Sequence, residues 1–227
     1  MKLKNYIWTG QMLKLKHSRC YYILHGIIRF ILKTIFSLLY RVEKININKV
    51  PRKGKLIICS NHISYLDPVL IGAFIPRCIY FMAKKELYNN KFLSRLVTFL
   101  NAFPVNRQSF DRKAIKTSFE ILNSGNALGL FPEGTRSTDG ILRKGERGTG
   151  FIAVYSKAPI LPVALSGSNK VIQKPHKRIF FPKIKIIVGN LIETKDILEK
   201  YNKKEAVNII VDKTMKEIGR IYNLIKY

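Results

Sequence analysis

The side chains with the clearest chemical potential lie in three short polar clusters, each following an apolar run. The first is Asn61-His62-Ile63-Ser64-Tyr65-Leu66-Asp67-Pro68, the second Asn106-Arg107, the third Pro132-Glu133-Gly134-Thr135-Arg136-Ser137. Histidine ionises near neutrality, so His62 suits removal of a proton from a hydroxyl as that hydroxyl attacks an acyl carbonyl. A carboxylate on its other ring nitrogen, here Asp67, would fix the tautomer and stabilise the imidazolium that forms. With such a pair the alcohol is itself the nucleophile, and no catalytic serine is required. The chain has no G-x-S-x-G elbow. Arg107 and Arg136 carry guanidinium groups, which grip phosphate bidentately. Glu133, in a glycine-containing turn, can orient Arg136 or a glycerol, or hold its own loop. Thr135 and the backbone amides around Gly134 can help cradle phosphate.

Each residue also has a purely structural reading. Asp67 before Pro68 is a good helix start, with Asp as N-cap and Pro at the first helical position. A turn histidine can simply bond its neighbours, and either arginine can be a surface ion-pair partner. The chemical reading gains weight only if the three clusters meet in one place.

The elements that would bring them together follow an αβ rhythm. Strands are predicted at 54–60, 78–82, 102–106, 126–131, 160–166 and 183–188, with helices near 66–75, 91–100, 111–124 and 147–157. Asp111 is the expected N-cap of the third of these helices, and Gly125 its C-terminal stop. A last amphipathic helix is predicted over about 204–226. The strands are continuously apolar rather than alternating, as in a sheet covered on both faces. The expected class is α/β, with a mixed, largely parallel sheet flanked by helices. In such sheets, sites gather at the carboxyl edge of the strands, where all three clusters fall.

The N-terminal part is different. Residues 20–42 are long and apolar enough to cross a bilayer, but Arg29 and Lys33 would then sit near its centre, at about 2.5–3.5 kcal/mol each. His25, Arg29, Lys33, Ser37 and Arg41 recur every four residues and form one slowly winding polar strip on a helix. That layout suits a helix lying in the membrane interface, with the cations at the phosphates; a core helix of a soluble protein is the alternative. A companion helix is expected over Tyr6 to Leu15. The chain is therefore divided into a membrane-associating helical segment, 1–45, and an α/β domain, 46–227.

Composition limits the partners. There are 41 Lys and Arg against 14 Asp and Glu, a formal charge of +27, which favours anions: lipid headgroups, an acidic protein or nucleic acid. No helix-turn-helix, zinc-finger or RNA-recognition pattern supports a nucleic-acid-binding protein, the rival of another class. Cys20, Cys59 and Cys78 show no paired spacing, and the scattered His17, His25 and His176 offer no metal-ligand cluster. Gly145-Glu146-Arg147-Gly148-Thr149-Gly150 fits neither the Walker nor the dinucleotide pattern and reads as a loop leading into a helix near the substrate.

At the three clusters the sequence resembles the glycerolipid acyltransferases, most closely those acting on 1-acylglycerol-3-phosphate (lysophosphatidate). Asn61-His62 through Asp67 matches that family's N-H-x4-D block. Phe103-Pro104-Val105-Asn106-Arg107 looks like its second block, Phe131 to Ser137 matches its third, and Ile160-Leu161-Pro162-Val163 looks like its fourth. The resemblance implies a general base at His62 and an orienting acid at Asp67. It implies acceptor binding by Arg107, Glu133, Gly134, Thr135 and Arg136, with Ser64 and Lys84 as weaker additions. It also implies no bound cofactor, an acyl thioester of acyl carrier protein or coenzyme A as co-substrate, and work at the cytoplasmic face of the membrane. The third block favours a lysophospholipid acceptor over glycerol-3-phosphate, which with other lysophospholipids remains the alternative. One departure stands out: Asn101 occupies a position where the second block often begins with glycine.

Overall fold

The apolar runs assemble into a seven-stranded sheet in the computed structural model, which describes residues 19–106, 111–137, 139–173 and 178–226. Helix α1 (Arg19–Tyr40) leads into β1 (Glu43–Ile45), β2 (Leu56–Ser60), α2 (Asp67–Phe74), β3 (Ile79–Lys84), α3 (Lys91–Phe99), β4 (Ala102–Val105), α4 (Arg112–Asn123) and β5 (Ala127–Leu130). There follow α5 (Arg147–Ser156), β6 (Ile160–Ser166), β7 (Ile172–Gln173), β8 (Arg178–Ile179), β9 (Lys185–Val188), α6 (Thr194–Leu198) and α7 (Lys203–Asn223). The strand order is β1-β9-β6-β2-β5-β3-β4, parallel throughout except for the β6–β9 pair. This is the mixed, largely parallel α/β architecture that the rhythm of the sequence predicts. The companion helix expected over Tyr6 to Leu15 lies outside the described residues, as do His17, Arg107 and His176.

Continuous apolar strands are explained by two separate cores. Leu56 and Ile58 of β2 point into a core shared with Phe36 and Tyr40 of α1 and Leu70 and Phe74 of α2. Ile57 and Cys59, on the opposite face, meet Ile121 of α4, Ile152 of α5 and Ile210 of α7. Successive residues of a strand face opposite ways, so a sheet covered on both sides needs every position apolar.

Four elements were not foreseen. Glu43–Ile45 is an edge strand pairing with β9, so the sheet begins within the segment assigned to the N-terminal helices. β7 and β8 form a separate antiparallel ribbon, and Thr194–Leu198 is a helix of five residues. Segments this short carry no detectable period.

Helix α1 corrects the interfacial picture of its polar strip. Its domain-facing side carries His25, Arg29, Leu32, Phe36 and Tyr40, none of which is fully exposed. The Arg29 guanidinium donates to the carbonyl of Ala73 through Nε at 3.1 Å and to that of Ile75 through its terminal nitrogen. Helix α2 ends there, and the last carbonyls of a helix lack intrahelical donors and carry its negative dipole end. Arg29 therefore caps α2 instead of reaching for lipid phosphate. Only Lys33 and Arg41 of the strip are exposed, while Ile27, Phe30, Ile31, Ile35 and Leu38 form an uncovered apolar face.

The glycine-rich run at 145–150 leads into α5, as its pattern suggests, and its glycines also serve packing. A methyl group on Gly150 would collide with the carbonyl oxygen of Val207, and one on Gly145 would lie 2.7 Å from Val211 Cγ1. Both glycines allow α5 and the turn before it to approach α7 closely. Gly150→Ala is expected to destabilise the fold by about 1–3 kcal/mol through overpacking. Urea unfolding checks this, since an unchanged midpoint would mean that α5 and α7 are not held so tightly.

Candidate active site

Four loops converge at the carboxyl edge of the sheet because β6, β2, β5 and β3 are parallel neighbours. Asn61 leaves β2 with its side chain inserted against β6: Nδ2 donates to the Leu165 carbonyl at 2.9 Å, and Oδ1 accepts from the Leu165 amide at 2.8 Å. This bidentate contact fixes where the chain turns and hence where His62 begins.

His62 Nδ1 lies 2.9 Å from Asp67 Oδ2, with both side chains buried. The same Oδ2 accepts from the Ile63 and Ser64 amides, each at 2.7 Å, and Oδ1 accepts from Ser168 Oγ at 2.6 Å. With three donors already directed at this carboxylate, Nδ1 completes the set as a fourth, which leaves Nε2 as the proton-accepting nitrogen. Among the described residues no hydrogen bond engages Nε2. The imidazole stacks on Phe131, with ring centroids 4.0 Å apart.

One detail differs from the sequence reading. Asp67 is the first residue of α2 and does not cap it; its carboxylate turns back onto the loop and the imidazole. Buried charge requires several donors, and the preceding loop amides supply them. Ser64 also shapes this loop, its hydroxyl accepting from the Leu66 amide at 3.2 Å.

The loop after β5 grips the His62 loop from both sides. Glu133 Oε1 accepts from the His62 amide at 2.8 Å, and the Ser137 amide donates to the His62 carbonyl at 2.7 Å. Glu133 Oε2 accepts from the Arg143 amide at 2.9 Å. Burial pushes the Glu133 carboxyl above its ordinary value, while these two amides and the nearby His62 and Arg143 pull it down. Glu133 thus holds the His62 loop to the turn carrying Arg143, and among the described residues no ion pair joins it to Arg136. Gly134 sits at φ +69°, a left-handed conformation in which the turn favours glycine.

Arg136 lies over the exposed ring of Tyr65, with Cζ 3.4 Å from the ring centroid. Among the described residues no carboxylate pairs with Arg136. Thr135 and Arg136, with His62 and Tyr65, line one cavity of about 600 Å³, whose walls are mostly apolar side chains of α1, α2, β3 and α3. Lys84 also lines it and makes a loose, exposed contact with Glu86 at 3.6 Å. The structure therefore brings His62, Asp67, Ser64, Glu133, Gly134, Thr135, Arg136 and Lys84 to one edge. Arg107 lies beyond the described residues, but Asn106 before it is fixed by Asp111 Oδ2 at 2.9 Å. Asp111 Oδ1 meanwhile caps α4 as predicted.

Asn101, the departure in the second block, adopts φ +62°. Asparagine enters the left-handed region more readily than most residues, so it replaces glycine there without changing the turn. Its Nδ2 also lies 3.2 Å from His25 Nε2, tying α1 to this block. Ser168, Phe131 and Tyr65 were not assigned roles from the sequence. Phe131 and Tyr65 lay inside recognised blocks, whereas Ser168, 101 residues from Asp67, gave no local signal.

Residues 41–166 match the acyltransferase family. A 1-acyl-sn-glycerol-3-phosphate acyltransferase of Bacillus subtilis is 31% identical over 191 residues, covering 82% of this chain and 92% of that one. One from Borreliella burgdorferi is 29% identical over 177 residues, covering 76% and 69%. The crystal structure of the 1-acyl-sn-glycerophosphate acyltransferase of Thermotoga maritima superposes with a TM-score of 0.71 at 24% identity, covering 92% of this chain and 88% of that one. The chain belongs to the acyltransferase family.

A glutamine at 133 would offer one accepting oxygen to two backbone donors and turn its own N–H group on the other. Glu133→Gln is expected to lose about 1–3 kcal/mol of stability in denaturant titration. No loss would mean that Glu133 does not hold the two loops together.

Proposed function

We propose that this chain acylates the sn-2 hydroxyl of lysophosphatidate to form phosphatidate, with an acyl thioester of acyl carrier protein or coenzyme A as donor. The reading rests on one juxtaposition above all: a buried His62–Asp67 pair at the edge of an apolar cavity, beside an arginine with no carboxylate partner among the described residues. His62 Nε2 takes the hydroxyl proton as the oxygen attacks the thioester carbonyl. Asp67 holds Nδ1–H and stabilises the imidazolium. The tetrahedral intermediate expels the thiolate, which recovers the proton from His62, so the enzyme returns unchanged. Arg136, stacked on Tyr65, binds the acceptor phosphate together with Arg107. Thr135, and Lys84 at the rim, add further donors.

The apolar walls suit a fatty acyl chain, and the cavity volume lies within the usual range for ligand sites. Helix α1 is long and apolar enough to cross a membrane by length and composition. Its uncovered apolar face beside the cavity supports a peripheral or monotopic enzyme at the membrane surface, where a lipid acceptor is available. The charge of +27 suits both anionic lipid and an acidic carrier.

The test is acyl transfer from a labelled acyl thioester to lysophosphatidate in detergent micelles. His62→Ala, matched for folding by circular dichroism, should lose about 10²–10⁴-fold in rate. Arg136→Ala should raise the KM for lysophosphatidate about 10–100-fold and affect the donor much less, because charged hydrogen bonds to phosphate are lost. Full activity in His62→Ala would overturn the mechanism, and equal weakening of donor and acceptor would remove Arg136 from the phosphate site.

A further inference from the structure

The β7–β8 ribbon belongs to neither core. Ile172 and Ile179 are directly opposed across it, so their side chains share one face. They are 54% and 63% exposed. A two-stranded ribbon outside a larger sheet is marginal in water unless its apolar face is covered. Two further exposed aromatics, Phe180 and Phe181, follow the ribbon directly in the chain.

That surface adjoins the C-terminal end of α1, where Phe181 meets the buried, domain-facing side of the helix. The Phe181 ring lies 5.7 Å from that of Tyr40, and Tyr40 lies 5.6 Å from Phe36, so an aromatic ladder joins ribbon to helix. The Ile184 amide donates to the Tyr40 carbonyl at 3.0 Å, which fixes the segment beside the helix end. Around this junction Arg41 and Arg178 are exposed and, among the described residues, have no carboxylate partner. An apolar patch with cations at its margin is complementary to an anionic lipid surface, which offers acyl chains below and phosphates above.

We infer that the β7–β8 ribbon and Phe180-Phe181 form a second membrane-docking element, which inserts into an anionic phospholipid surface beside α1. The inference rests on reading α1 as a lipid-facing helix. A second attachment point beside α1 would restrain the tilt of the domain on the bilayer more than the helix does by itself.

The experiment is flotation of the full chain with vesicles of phosphatidylglycerol and phosphatidylcholine, or of phosphatidylcholine alone. Ile172→Ser with Ile179→Ser is expected to weaken partition onto the mixed vesicles about ten-fold or more, whereas Tyr201→Ser, at an exposed site elsewhere, should not. Wild type should prefer the anionic vesicles, and Arg41→Gln with Arg178→Gln should reduce that preference. Phe180→Trp, in a Trp8→Phe background, should be quenched by brominated acyl chains, which reports insertion even if a serine variant unfolds. Unchanged partition of the folded ribbon variant, or an unquenched Trp, would overturn the inference. So would a ribbon variant that binds normally but loses self-association, which would assign the face to a second copy. Phe30→Ser with Leu38→Ser serves as the separate arm: if it too binds as wild type, the lipid-facing reading of α1 fails as well.

Discussion

The constraint on which this structure depends is the need to surround one buried carboxylate. Asp67 is fully buried, and a charge removed from water is tolerable only when donors replace the lost hydration. Four do so: the Ile63 and Ser64 amides, the Ser168 hydroxyl and the His62 ring. They come from the loop after β2 and the turn after β6, so satisfying Asp67 requires β2, β6 and the start of α2 to be in register at once. The pair's geometry is thus a consequence of the fold closing correctly.

Around that centre each contact passes the constraint outward. Asn61 pins the β2 exit to β6, and Glu133 pins the His62 loop to the turn carrying Arg136. Arg29 of α1 caps the far end of the helix that Asp67 begins. The apolar helix is thus joined to the site through α2, through the contact of His25 with Asn101, and through its own side chains in the cavity wall. An acceptor lipid and a water-soluble donor would meet where those two parts adjoin, beside the apolar cavity.

Much of this was legible in the sequence, for identifiable reasons. The six longer strands and the main helices announce themselves by apolar runs, by Asp111 as a cap and by Gly125 as a stop. The juxtaposition of the first and third clusters follows from parallel strands. What escaped detection depended on long-range satisfaction. Sequence places Asp67 before Pro68 as a cap, but its burial beside two loop amides and His62 turns the carboxylate away from its own helix. The strip at His25 and Arg29 has the spacing of an interfacial helix, yet the carbonyls at the end of α2 claim Arg29. Asn101 looks like a departure until its φ is known, when it proves an acceptable substitute for glycine. Ser168 and the short strands β1, β7 and β8 leave no local pattern at all.

In the proposed reaction the acceptor hydroxyl attacks the thioester directly, with His62 taking the proton. Among nearby candidates for a covalent route, Cys59 is fully buried and its thiol is pushed up by burial, so it is poorly suited to attack. The most direct test is intact-mass spectrometry of the enzyme mixed rapidly with acyl thioester in the absence of lysophosphatidate. The mass should stay that of the unmodified chain until acceptor is added, when product appears without an acylated intermediate. An acyl adduct that forms at a rate matching turnover and is discharged by lysophosphatidate would contradict direct attack.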